Sequence, residues 1–163
     1  WGYNKNDTHW KSAKFVIRTL ADLASKGDNL LLNVGPTAEG QFPQPEVDVL
    51  AQVGGWMRTN GVSITGTSAN PWPTNETWGC ITANADRLYL HVFDSPTNNL
   101  IRLTGLKTDP QTTAFLAAPP RTAPVPFRRE GSDLLLQLPD TLPDSSDSVI
   151  EIRFAQPPEI GAP

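Results

Sequence analysis

The segment Asn29-Leu30-Leu31-Leu32-Asn33-Val34 is a short, nearly unbroken apolar run set between Gly27-Asp28 and Gly35-Pro36. A run of this length and composition, punctuated by glycine at both ends, suits a strand buried on both faces, as in the interior of a parallel sheet. Helical patterns flank it. From Ser12 to Ser25, Val16, Leu20, Leu23 and Ala24 recur at helical spacing, with Lys14, Arg18 and Asp22 on other faces, and Gly27 supplies the left-handed stop. From about Pro45 to Thr59, Val49, Leu50, Val53, Trp56 and Met57 share one side, and Asn60-Gly61 ends the helix. Helix, strand, helix is part of a βα architecture, yet 163 residues are too few for a complete (β/α)₈ barrel, which needs roughly 200 or more. One parallel strand by itself must find its neighbours elsewhere.

After Val62 the composition turns to Thr, Ser, Asn, Pro and Gly, the profile of a connector. Beyond it come short alternating runs, at Trp78 to Ala83, Arg87 to Phe93, Leu100 to Leu103, Thr112 to Leu116, Leu134 to Leu138 and Ser148 to Phe154. Turn signals such as Asn84-Ala85-Asp86 and Glu130-Gly131-Ser132-Asp133 separate them, and no helical pattern intervenes. The expected fold is therefore α+β: a helix-strand-helix unit over residues 1–70, a linker over 71–76, and an antiparallel β-sandwich over 77–163.

Composition narrows the function. With a formal net charge of -4 and 13 scattered Lys and Arg, no basic patch marks a nucleic-acid partner. The longest apolar runs fall far short of the roughly 20 residues of a membrane span. Cys80 is the only cysteine, so neither an internal disulfide nor a cysteine-built zinc site can form. No His and carboxylate cluster has metal-ligand spacing, and Gly35-Pro36-Thr37-Ala38-Glu39-Gly40 lacks the Lys-Ser/Thr ending of a phosphate loop. No cofactor is called for. Asn6-Asp7-Thr8 and Asn75-Glu76-Thr77 match the glycosylation triplet, a pattern common by chance. The chain opens on Trp1 rather than Met, and a preceding segment is expected.

Trp1-Gly2-Tyr3, the block Ser25-Lys26-Gly27-Asp28 through Gly40, and then Trp56 with Asn60-Gly61-Val62-Ser63-Ile64-Thr65-Gly66-Thr67 form an ordered series of matches. In that series the chain resembles the family 29 α-L-fucosidases over roughly its first 70 residues. The resemblance implies the end of a (β/α)₈ barrel followed by the family's C-terminal sandwich. It also implies a retaining glycosidase acting on a fucosylated glycan or fucoside, in an extracellular, periplasmic or lysosomal setting. Trp1 matches the aromatic that packs on the sugar, and Tyr3 shares its rim; a flat ring against the C–H face of fucose is sensible chemistry. A retaining mechanism needs two carboxyl groups about 5–5.5 Å apart, and in the family both come from segments before Trp-Gly-Tyr. The expected catalytic pair is thus absent here.

Asp7 and Glu39 are the acids that would lie on the catalytic-face loops, so a chain active by itself would have to recruit them. His9, beside Trp10, is expected in capping or packing, and His91, alternating with Leu90 and Val92, on the outer face of the sandwich. Trp56 is expected to pack on the barrel wall or sandwich, and Trp72 and Trp78 to staple the linker to the domains it joins. A sugar-binding platform built from Trp72 and Trp78 is the alternative. An uncovered strand and two apolar helix stripes also predict a homo-oligomer or association with the missing barrel portion.

Overall fold

The computed structural model describes residues 3–73, 76–116 and 123–161. Two helices come first, α1 (Ala13–Ser25) and α2 (Gln44–Asn60), the latter running into a 3₁₀ turn over Gly61–Ser63. Ser12 caps α1, its hydroxyl accepting from the Phe15 N–H at 3.1 Å. The C-terminus closes at Gly27, which has φ +78, with the Asp28 N–H reaching back to the Leu23 carbonyl at 2.9 Å. Pro43 and Pro45 at the start of α2 remove donors that no helical acceptor would meet.

Eight strands follow: β1 (Gly79–Asn84), β2 (Arg87–Val92), β3 (Leu100–Leu103), β4 (Thr112–Phe115), β5 (Ala123–Pro124), β6 (Phe127–Glu130), β7 (Asp133–Gln137) and β8 (Ser148–Arg153). They form two antiparallel sheets, β1-β2-β8-β4-β5 and β3-β7-β6. Leu88, Leu90, Val92, Ile150 and Ile152 turn inward to meet Ile101, Leu103, Leu134 and Leu136 of the smaller sheet. That is the expected α+β architecture with its sandwich core. The edge strands β5 and β6 lack an apolar alternation; Phe127-Arg128-Arg129-Glu130 is mostly exposed and presents charges to solvent, which discourages pairing with another chain.

The outer face of the larger sheet is not left to solvent. Ile17 and Trp56 from the helices pack against Tyr89 and Val149, with Val53, Met57 and Ile64 around them. Both faces of β2 are consequently covered, and five consecutive residues from Leu88 to Val92 are buried. Arg18 rivets α1 to the sandwich: its Nε donates to the Ser146 carbonyl at 2.8 Å, its Nη1 to Asp94 at 2.8 Å, and its guanidinium lies 5.1 Å over the Phe93 ring.

One expectation fails. Residues 29–34 join no ladder among the described residues, and Leu31 stands 94% exposed. A strand exists only through its hydrogen-bonded neighbour, and no other parallel strand is available here; the apolar run keeps the composition of a buried strand without its burial. The joint after it is tied down instead: Ser68 exchanges backbone hydrogen bonds with Ala83 at 2.8 and 3.1 Å, and the Asn70 N–H donates to Ser25 at 2.7 Å.

Candidate functional site

A hollow of about 270 Å³ lies where the segment before α1, the end of the apolar run and the start of α2 converge. Tyr3, Asp7, His9 and Trp10 come from the first segment, Asn33 to Gly35 from the second, and Glu46 and Leu50 from α2. This placement follows from the chain path, because the loop over residues 35–43 brings α2 back beside the apolar run it has just left. The lining joins exposed aromatic surface, with Tyr3 44% and Trp10 40% accessible, to carboxylates and an amide, the mixture that recognises a polyol with one apolar face.

The two carboxylates singled out from the sequence are separated. Asp7 lines the hollow, where Oδ1 accepts from the His9 backbone N–H at 2.9 Å and lies 3.3 Å from the ring Nδ1. Those contacts, the backbone one first, hold the Asp7 carboxyl below the usual carboxylate range. Glu39 stands outside the hollow on the tight turn whose Gly40 N–H donates to Thr37 at 2.9 Å, and a hydrogen bond with the Thr37 side chain lowers its pKa as well. An acid that must protonate a leaving group needs its pKa raised toward neutrality. Both residues are pushed the other way, and nothing brings them together.

Trp1 lies outside the described residues, so its place on the sugar rim is not visible; Tyr3 is in the hollow. His9 is exposed there and partners Asp7. Glu46 escaped notice in the sequence. Its Oε1 and Oε2 accept from the Gly35 N–H at 3.1 and 3.2 Å. The available signal was an acid in the first turn of a helix that follows a glycine-ended apolar run.

His91 is on the outer face of the sheet as its alternation implied, but this face is sealed by the helices rather than open. Nδ1 lies 2.7 Å from Asp147 Oδ2, both side chains 0% exposed, and Nε2 lies 3.4 Å from Thr82 Oγ1. Trp56 packs on the sandwich, its ring centroid 6.3 Å from that of His91 and its Nε1 donating to the Asp147 carbonyl at 2.9 Å. Trp72 and Trp78 are buried in the core between the sheets, Trp72 donating to the Thr104 carbonyl at 2.8 Å. Buried rings cannot serve as a platform for sugar, so a surface built from that pair is excluded. Among the described residues no cluster of His, Cys, Asp and Glu is arranged to hold a metal ion, and no helix is long and apolar enough to cross a membrane.

Against known proteins, the family model described as Alpha-L-fucosidase matches residues 1–62. An alpha-L-fucosidase of Branchiostoma floridae is 30% identical over 148 residues, covering 85% of this chain and 32% of its own length. Among solved structures, alpha-L-fucosidase isoenzyme 1 of Paenibacillus thiaminolyticus superimposes with a TM-score of 0.85 at 37% identity, covering 96% of this chain and 38% of that one. The Thermotoga maritima alpha-fucosidase in complex with fucose gives a TM-score of 0.73 at 30% identity, over 93% of this chain and 37% of its own. This chain thus spans about a third of the length of the proteins it matches.

Proposed function

The chain belongs to the family 29 α-L-fucosidases, and from that premise we propose that it supplies one wall of an α-L-fucoside pocket, while hydrolysis is performed by carboxylates on a barrel body beyond it. The observation that carries this reading is coverage: almost all of the chain superimposes on little more than a third of a fucosidase. Tyr3 and Trp10 offer ring faces to the sugar, and Asp7 offers an ionised acceptor to its hydroxyls. We extend the same role to Trp1 as the leading member of the rim. Retention of configuration requires a nucleophile and a separate proton donor close together. Asp7 and Glu39 both have lowered pKa values, so neither suits the proton donor, and Glu39 lies outside the hollow that Asp7 lines, which supports inactivity of the chain alone.

The partner follows from the uncovered surface. Phe15, Leu31, Leu32, Phe42 and Leu50 are exposed, all on the helical layer. Covering each contributes roughly 1.5–3 kcal/mol, so residues 1–70 act as a docking half for barrel strands, and 77–163 as its sandwich support, joined over 71–76. Without those strands, copies of the chain associate through the same surface. Sedimentation velocity at micromolar concentration checks this: oligomers are expected, and dispersal by Leu31→Ser with Leu32→Ser. A monomer before substitution removes the claim.

The test of function is turnover of a chromogenic α-L-fucoside by the chain alone, by the chain joined to a barrel body, and by the Asp7→Asn and Glu39→Gln variants of each. No turnover alone and turnover when joined is the expected result. Turnover by the chain alone that vanishes with either substitution would show a self-sufficient site and defeat the proposal.

A further inference from the structure

Glu46 and Gly35 meet where the end of the apolar run comes against the start of the helix that follows it. Gly35 is buried, and its N–H is met by both carboxylate oxygens of Glu46, at 3.1 and 3.2 Å. The loop between them is closed on itself, with the Thr37 N–H donating to the Gln41 carbonyl at 2.8 Å and the Gly40 N–H to Thr37 at 2.9 Å. Glu46 lies in the first turn of α2, where exposed helix N–H groups favour a negative charge. Both clamp residues line the hollow that holds Tyr3 and Asp7.

We infer that Glu46 is a positioning residue for the fucoside site: its carboxylate clamps the Gly35 amide and so sets the backbone from Asn33 to Gly35 as a fixed wall opposite Tyr3 and Asp7. This rests on the fucoside reading of the hollow. The apolar run has no strand neighbour among the described residues to hold its end, so the clamp does for Gly35 what a sheet ladder would otherwise do. Glu46 touches the wall, and the wall touches the sugar. A glutamine keeps an acceptor oxygen within reach of the amide, whereas alanine removes it.

The experiment follows amide exchange at Gly35 by NMR in the whole chain, and KM and kcat for a chromogenic α-L-fucoside in the chain joined to a barrel body, for Glu46→Ala and Glu46→Gln. A hydrogen bond to a charged acceptor implies exchange faster by about tenfold or more in the alanine variant, with glutamine largely restoring protection. KM should rise severalfold in the alanine variant and return in the glutamine one, with kcat changed less. Unchanged Gly35 exchange in Glu46→Ala overturns the clamp. Protection restored by glutamine while KM stays raised overturns the positioning role, because the charge would then act on substrate directly. If the unsubstituted joined protein fails to turn over any fucoside, the fucoside reading falls, while Gly35 exchange still decides the clamp.

Discussion

Replacing Asp147 by alanine probes the seam on which this fold depends. The carboxylate lies 2.7 Å from His91 Nδ1 with neither side chain exposed, and the other ring nitrogen faces Thr82, whose hydroxyl donates to the Ser63 carbonyl at 2.7 Å. Both side chains are shut off from solvent, so the substitution leaves a buried polar group without its partner. Removing one member of such a pair costs about 3 kcal/mol. The Trp56 indole is unaffected, because it donates to the Asp147 backbone carbonyl, which survives the change. Asp147→Asn preserves an acceptor and should cost about 1 kcal/mol. Urea unfolding followed by tryptophan fluorescence reads the loss: with a slope of roughly 2 kcal/mol/M, the midpoint should fall by about 1.5 M for alanine. A cycle with His91→Leu should give a coupling energy of at least about 1 kcal/mol. A loss below about 0.5 kcal/mol for Asp147→Ala, or strict additivity with His91→Leu, would refute the view that this buried pair stabilises the sheet face on which the helices pack.

Trp72→Ala should cost about 3–5 kcal/mol by opening the inter-sheet core, measured by the same unfolding curves, and should leave sugar binding by the folded protein unchanged. At Gly79 an added Cβ would come within 1.8 Å of the His91 carbonyl oxygen, so Gly79→Ala should destabilise by about 2 kcal/mol or more as the β1–β2 ladder shifts; an unchanged thermal midpoint would contradict that packing. Burial, and then the charge of Asp147, push the Cys80 thiol up to about 12; a thiol reagent at neutral pH should label it only after unfolding, and rapid labelling of folded protein would show that β1 opens. Asp133 is held below the usual carboxylate range, first by the Gly105 N–H and then by Arg102. A lowered folded pKa means stability that is present above about pH 4 and lost as pH falls through the lower folded value, so Asp133→Asn should flatten the acid limb of the stability curve.

What the amino-acid order determined was everything carried by neighbours along the chain. Ser12 and Gly27 bracket α1 by chemistry local to each end, the period of Val16, Leu20 and Leu23 makes it amphipathic, and turn residues space the sandwich strands. The block from Trp1 to Thr67 likewise marks the family, since it consists of short ordered motifs. The edge strand β6 was invisible because its exposed Phe127-Arg128-Arg129-Glu130 has no apolar face to announce it. Tertiary structure decided the rest, because burial and hydrogen bonding between distant segments depend on which surfaces meet. His91 reads as outward from its alternation, and only the arrival of Trp56 and Ser63 seals it beside Asp147. Leu31 reads as buried from its composition, yet a strand without a partner leaves it in solvent. Glu46 and Gly35 carry no shared motif; eleven positions apart, they become one feature of the site only because the loop between them folds back.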